Sequence, residues 1–154
     1  MTNNKEIDLQ AAHRYFSVKC FNRAWDLIDK PDRTPDEDEQ MIQLSLVSHW
    51  HWTQREDYQD KNASIGYWQT SRIYAMLGQS EHARKYGLLC LQASKGNDVE
   101  PFFLGYAYEA LARSEKVAGH DEKKRGYIDL AFEILSKISD PEEKKMLQDD
   151  LESI

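Results

Sequence analysis

The phrase SHWHW contains the side chains best suited to bind a metal ion or transfer a proton. Either imidazole could do so alone, but His49 and His51 are two residues apart and point about 200° apart on a helix, so they cannot both bind one ion. One of them could be joined by His13, yet zinc would need more ligands than the sequence places. We therefore predict no metal site. Packing of a histidine beside tryptophan is the first interpretation, and a ligand surface shared by Ser48, His51 and Trp52 is the alternative.

The chain carries no motif typical of nucleophilic or phosphate chemistry. It has no GxSxG elbow, no GxxxxGK[ST] phosphate loop and no GxGxxG after a strand pattern. Its cysteines, Cys20 and Cys90, are far apart, lack CxxC spacing and lie within helical patterns, so we predict two buried thiols in a reducing cytoplasm. No catalytic residue and no cofactor is predicted.

The charge balance argues against nucleic acid and membranes as partners. The 154 residues include 27 acidic and 20 basic side chains, giving a formal net charge of -7 at pH 7, whereas phosphate affinity is built from clustered lysine and arginine. Apolar runs are shorter than the about 20 residues that span a bilayer. The polar start MTNNKEIDLQ lacks the features of a secretory signal, so a cytoplasmic location is predicted.

We predict that the elements which position these side chains are helices. Apolar residues recur at helical spacing, and the composition includes only 4 prolines and 7 glycines. The predicted helix caps are small polar residues: Thr34, Asn62, Asp98 and Ser139. We predict one all-α domain of about seven to eight antiparallel helices. Its parts are helix pairs at about 5–30, 62–95 and 99–138, an inserted helix at about 35–55 and a C-terminal capping helix at about 140–153.

The pair at 62–95 turns at Gly78, and its spacing resembles the tetratricopeptide repeat. Tyr74 precedes the glycine by four residues and Ala83 follows it by five. In that repeat the small residues let two antiparallel helices approach closely while the aromatic ring fills the space beside them. The resemblance implies a short, irregular superhelix of helical hairpins.

Two weaker copies of this pattern flank the first. At 99–138, Gly119 takes the glycine position, but Glu115 and Lys124 replace the tyrosine and the alanine; at 5–30, Lys19 replaces the glycine. The phrases WDLIDKPDRTPDEDEQMI, SHWHW, GYWQTSRIYAMLG and GYAYEALARSEKVAG also resemble those of an uncharacterised family of small bacterial tetratricopeptide-like proteins. That resemblance brings no established activity.

The repeat resemblance also implies which side chains face a concave groove. The first helix of each hairpin lines the groove in such proteins, which places an aromatic and charged set there: His13, Phe16, Trp68, Arg72, Tyr106, Glu109 and Arg113. Aromatic faces suit an apolar or planar group, and guanidiniums suit carboxylate or phosphate. A structural alternative is that Trp68 and Arg72, like Glu109 and Arg113, only contact each other, because each pair is four residues apart.

We predict a non-catalytic interaction module that binds a peptide or protein segment in this groove, with His51 and Trp52 added to the set. The alternative is a small-molecule-binding protein or enzyme that uses a pocket between the inserted helix and the repeats, with His51 and Glu109 transferring protons. A third possibility is assembly through the exposed ends of the helical array, giving a homodimer.

Overall fold

The computed structural model describes residues 6–154, and every regular element in that range is an α-helix, which confirms the all-α prediction. Lys5, where we predicted the first helix to begin, lies outside the described residues. None of the helices within 6–154 combines the length and apolarity needed to cross a membrane. The seven helices in this range are α1 Leu9–Ile28, α2 Pro35–Thr53, α3 Asp60–Met76, α4 Ser80–Ser94, α5 Pro101–Ala118, α6 Asp121–Leu135 and α7 Pro141–Glu152.

The helices fall into two compact units where the sequence predicts one domain. The first unit ends at Tyr58 and holds α1 packed against α2. The second unit, Gln59–Ile154, holds the hairpins α3/α4 and α5/α6, with α7 packed on both α5 and α6. Within the second unit α5 also contacts α3 and α4, so the two hairpins lie side by side.

The predicted helix pair at 5–30 is wrong, because α1 is one continuous helix through Lys19. No glycine or proline interrupts Leu9–Ile28, and Ser17, Cys20 and Ala24 form a single buried stripe at helical spacing. The hairpin partner of α1 is α2, which is therefore not an insertion between repeats.

The strongest predicted start signal is confirmed at α2. The Thr34 hydroxyl accepts a hydrogen bond from the backbone N–H of Glu37 at 3.2 Å, and Pro35 is the first helical residue. The three other predicted caps are shifted. Asn62 lies in the first turn of α3, Asp98 lies in the loop before α5, and α7 is capped by Asp140 instead of Ser139.

The predicted turn glycines occupy the backbone conformation that favours glycine. Gly78 has a φ of +74° and Gly119 a φ of +76°, each directly after the last turn of a helix. The following alanine, Ala83, is fully buried, and its carbonyl accepts a hydrogen bond from the Ser71 hydroxyl at 2.8 Å. Small residues therefore do bring α3 and α4 close together.

The main apolar cluster of the second unit joins α5, α6 and α7. It contains Tyr106, Ala131, Ile134, Leu135, Ile138, Leu147 and Leu151. A Cβ added at Gly105 would lie 2.4 Å from Cδ2 of Leu147, so α7 approaches the backbone of α5 very closely. This packing places the C-terminal end of α7 against the predicted groove side of α5.

Candidate functional site

The second unit brings together the charged and aromatic residues that were assigned to its groove. Trp68 and Arg72 lie one turn apart on α3, and Tyr106, Glu109 and Arg113 lie on one face of α5. Asp150 of α7 joins them. We call this set the arginine cluster: Trp68, Arg72, Tyr106, Glu109, Arg113 and Asp150.

Glu109 is the buried centre of the arginine cluster, with only 1% of its surface exposed. One carboxylate oxygen accepts a hydrogen bond from Nε1 of Trp68 at 3.0 Å, and the other accepts one from Nε of Arg113. The interpretation that Glu109 and Arg113 pair along the helix is therefore confirmed. Because both oxygens are engaged by donors, the geometry does not favour Glu109 as a proton-transfer group.

Tyr106 links α5 to α7 through a short hydrogen bond. Its hydroxyl donates to Oδ2 of Asp150 at 2.6 Å, and its ring meets the Trp68 ring edge to face at 5.7 Å. Burial, followed by the hydrogen bond to Asp150, raises the pKa of Tyr106 well above its ordinary value. The phenol therefore stays neutral and keeps donating its proton.

Arg113 is bound by the end of α7 as well as by Glu109. Its Nη2 donates to the backbone carbonyl of Asp150 at 3.2 Å and to the Ser153 hydroxyl at 3.0 Å. Asp150 and Ser153 were missed at the sequence level, where α7 was only a capping helix. No local pattern marks Asp150 and Ser153, because both are distant in sequence from Arg113 and the acceptor on Asp150 is a backbone oxygen.

Arg72 differs from the other members of the cluster. It is partly buried, and within residues 6–154 no acceptor lies within hydrogen-bonding or ion-pairing distance of its guanidinium. Burial, and then the positive charge of Arg113, lower the pKa of Arg72, while Glu109 and Asp150 act in the opposite direction. A guanidinium is still charged under these conditions, so the cluster holds one cation without a bonded anion.

The first unit pairs two of the histidines. Nδ1 of His13 on α1 lies 2.8 Å from Nδ1 of His51 on α2. The two rings are surrounded by the aromatic rings of Phe16 and Trp50, with centroid distances of 5.1 to 5.6 Å to these neighbours. We call His13 and His51 the histidine pair. Packing of His51 beside tryptophan is thus observed.

The prediction that Ser48, His51 and Trp52 share a ligand surface is wrong for Ser48. Ser48 is buried, and its hydroxyl donates to the backbone carbonyl of Ser17 at 2.6 Å, so it ties α2 to α1. Trp52 carries the guanidinium of Arg55 over its ring at 3.7 Å. The binding roles of His51 and Trp52 stay predictions.

His49 is engaged separately from the histidine pair. Its Nε2 lies 2.9 Å from the Tyr58 hydroxyl, and burial lowers its pKa. Both cysteines are free and buried, as predicted, and burial raises the pKa of Cys90 to about 11. In the described part of the chain, no group of three or more histidine, cysteine or acidic side chains converges on a point that could hold a metal ion.

The chain matches no protein-family model, no curated protein and no solved structure, so its resemblance to tetratricopeptide proteins stays a prediction.

Proposed function

We propose that the chain is a non-catalytic interaction module that binds a peptide or protein segment and holds a carboxylate of that segment at Arg72. One observation carries the proposal. Arg72 is a partly buried cation with no bonded acceptor among residues 6–154. The other charged side chains of the cluster are each bonded, Glu109 to Arg113 and the Asp150 carboxylate to the Tyr106 hydroxyl. Buried cations in folded proteins are ordinarily paired, because desolvation of an unpaired charge is unfavourable.

A carboxylate is the anion that fits this position best. The fork of a guanidinium matches the two oxygens of a carboxylate, and such a bond is stronger than one between neutral groups. The carboxylates of Glu109 and Asp150 offset the charges of Arg72 and Arg113, so these four side chains together carry no net charge. This balance favours a singly charged group over a multiply charged phosphate.

Aromatic side chains beside Arg72 suit a peptide. Trp68 lies one turn before Arg72 on α3, and the Tyr106 ring packs against both Trp68 and Phe102. Such rings provide an apolar surface next to the charged anchor, as in many peptide-binding sites. The tetratricopeptide-like spacing of Tyr74, Gly78 and Ala83 supports the same kind of partner.

A cytoplasmic location belongs to this proposal. Free thiols at Cys20 and Cys90 suit a reducing compartment, where cysteines stay unpaired. The net charge of -7 supports a protein partner in preference to nucleic acid or an anionic membrane.

The test is selection from a synthetic peptide library in which each sequence occurs with a free and with an amidated C-terminus. We expect wild-type protein to enrich peptides with a free C-terminus or an acidic side chain. Arg72→Met should weaken these complexes about 10- to 150-fold, because a hydrogen-bonded charge contributes about 1.5–3 kcal/mol. Arg72→Lys should restore part of the affinity, since it keeps the charge and loses the fork.

Arg125→Met is the matched control, because Arg125 is an exposed arginine on α6. This change should leave the selected peptides and their affinities as in wild type. Enrichment of neutral, amidated peptides, or equal affinities for wild type and Arg72→Met, would remove the carboxylate from the proposal. A library from which wild-type protein enriches nothing would overturn the proposal as a whole.

A further inference from the structure

The hairpin of α1 and α2 exposes large apolar side chains along one edge. Three aromatic residues there are about half exposed: Tyr15 at 59%, Phe16 at 45% and Trp50 at 55%. Two aliphatic residues, Leu9 and Val47, are 64% and 44% exposed. Single exposed apolar residues are ordinary on a protein surface, whereas a contiguous apolar patch marks a place of interaction. Whether these five residues are contiguous therefore decides what they mean.

Ring contacts join these residues into one surface that spans both helices. The rings of Tyr15 and Phe16 meet edge to face at 5.1 Å, and the Phe16 ring lies 5.4 Å from an imidazole of the histidine pair. The Trp50 ring meets both imidazoles, at 5.1 and 5.6 Å. Leu9 and Val47 each lie one helical turn before a member of the histidine pair. We call this set the aromatic edge: Leu9, Tyr15, Phe16, Val47 and Trp50.

The aromatic edge carries no formal charge. None of its five residues is ionised at neutral pH, and the only titratable side chains in contact with its rings are the histidine pair. Burial, followed by the charge of His13, lowers the pKa of His51, so this imidazole is neutral at pH 7. Two copies of a chain with a net charge of -7 repel each other in general, and an uncharged surface is where they can meet at least cost.

The first unit lacks the further layer of helices that covers a hairpin in the second unit. Within residues 6–58 the only helices are α1 and α2, which pack against each other. In the second unit the hairpin α5/α6 is covered by α7 and also contacts α3 and α4. Helical folds bury their apolar faces by packing helix pairs against one another. A second copy of α1 and α2, related by a two-fold axis, would supply such a layer and give a four-helix arrangement.

The exposed area of the aromatic edge is large enough for a dimer. A fully covered aromatic side chain buries about 150–250 Å², so the exposed halves of the three rings and the two aliphatic side chains together offer roughly 500 Å². Two copies would then bury roughly 1,000 Å² through these residues, which is the size that a specific interface needs to reach. Polar residues around the aromatic edge would add to this area as the rim of the interface.

We propose that two copies of this chain associate through the aromatic edge as a two-fold symmetric dimer. Trp50 is its anchor, because it is the largest residue of the surface and contacts both imidazoles, and tryptophans carry much of the binding energy of interfaces. The arginine cluster lies in the second unit and plays no part, so the dimer does not depend on whether Arg72 binds a carboxylate.

The test is analytical ultracentrifugation of untagged full-length protein over the micromolar to millimolar range. We expect wild-type protein to change from one chain to two as its concentration rises. Trp50→Glu should weaken the dimer at least about 30-fold, because loss of an interface anchor costs about 2 kcal/mol or more. Trp50→Phe keeps a ring and should dimerise more tightly than Trp50→Glu. Circular dichroism checks that each variant keeps its helices.

Leu88→Glu is the matched control, because Leu88 is also about half exposed but lies on α4 in the second unit. This variant should dimerise like wild type. Hydrogen exchange of wild-type protein provides a readout that needs no variant: raising the concentration should slow amide exchange in α1 and α2. A wild-type chain that stays monomeric throughout the range would overturn the proposal and leave the aromatic edge to a different protein. A dimer that Trp50→Glu leaves intact, or that Leu88→Glu weakens equally, would overturn it as well.

Discussion

Arg113→Met should destabilise the second unit by about 3 kcal/mol. The change keeps the aliphatic stem of the side chain but leaves the carboxylate of Glu109, which is 1% exposed, with the Trp68 indole as its remaining donor. Breaking a buried ion pair by removing one partner costs about 3–5 kcal/mol. The lower end applies here, because the Arg113 side chain is itself 14% exposed and Arg72 supplies a second positive charge nearby.

A second substitution should restore most of that loss. In Glu109→Leu/Arg113→Met no charge of the pair is left buried, and exchange of a buried pair for apolar side chains is often close to neutral. We therefore expect the double variant to be more stable than Arg113→Met alone by about 2 kcal/mol. The corresponding double-mutant cycle should give a coupling energy of about 2 kcal/mol or more between the two positions.

Urea unfolding followed by Trp68 fluorescence measures these differences. Trp68 is the single tryptophan of Gln59–Ile154, so replacing Trp25, Trp50 and Trp52 by phenylalanine leaves a reporter for the second unit alone. With a slope of about 2 kcal/mol per molar urea, the Arg113→Met midpoint should fall by roughly 1.5 M. The reasoning would be refuted if the Arg113→Met midpoint decreased by less than about 0.5 M. It would also be refuted if the double variant lost as much stability as Glu109→Leu and Arg113→Met lose in sum.

Three further predictions concern packing, pH and reactivity. Gly105→Ala should lower stability by about 1–3 kcal/mol in urea melts, because the new Cβ would meet the buried Leu147, whereas Gly126→Ala, with nothing within 4 Å, should not. Nε of Arg84 donates a hydrogen bond to Oε1 of Glu115 at 2.6 Å, and this bond lowers the pKa of Glu115 below 4.5. The stability that the ionised carboxylate contributes is therefore present above pH 4.5 and is lost as the pH falls through the lowered pKa. Thermal melts should therefore show Glu115→Gln about 1.5–3 kcal/mol less stable than wild type at pH 7, with a smaller difference at pH 3; a constant difference would contradict this. Cys90 should resist iodoacetamide at pH 8 in folded protein and react in urea, as judged by peptide masses, because its pKa of about 11 leaves few thiolates.

Local chemistry was enough to predict most of the helices and some of their ends. Thr34 and the following proline mark the start of α2 through the free N–H groups of its first turn. The threonine side chain accepts a hydrogen bond from one of these groups, and the proline has no N–H of its own. Gly78 and Gly119 mark turns because the backbone there has positive φ. Signals of this kind depend only on residues that are close in sequence, so they can be recognised without knowing the tertiary structure.

Helix pairing was harder to predict, as the first unit shows. The repeat pattern placed a turn at Lys19, but no breaker is present and α1 continues to Ile28. A helical stripe of Ser17, Cys20 and Ala24 does not say which helix covers it. The contact of His13 with His51 follows from the pairing of α1 with α2, so it could be named only as an option before that pairing was known.

The candidate site was predicted as a set but not in its internal roles. Helical spacing and the repeat resemblance placed Trp68, Arg72, Tyr106, Glu109 and Arg113 on one wall, and the structure brings these residues together within the second unit. The sequence could not show that α7 contributes further hydrogen-bond acceptors for Arg113. A long-range hydrogen bond to a backbone carbonyl leaves no trace in the sequence, since every residue has that carbonyl.

The two arginines of the cluster therefore have different roles, although both were expected to meet a ligand. If Arg113 turned toward a ligand, Glu109 would lose its bonded cation at a cost of about 3–5 kcal/mol, while a hydrogen-bonded charge on the ligand would return about 1.5–3 kcal/mol. That exchange is unfavourable. Arg72 breaks no bond within residues 6–154 when it binds a carboxylate, and it relieves the unfavourable burial of its own charge. Arg113 therefore holds α5 and α7 together. The same comparison supports the proposal that a partner would bind the cluster through Arg72.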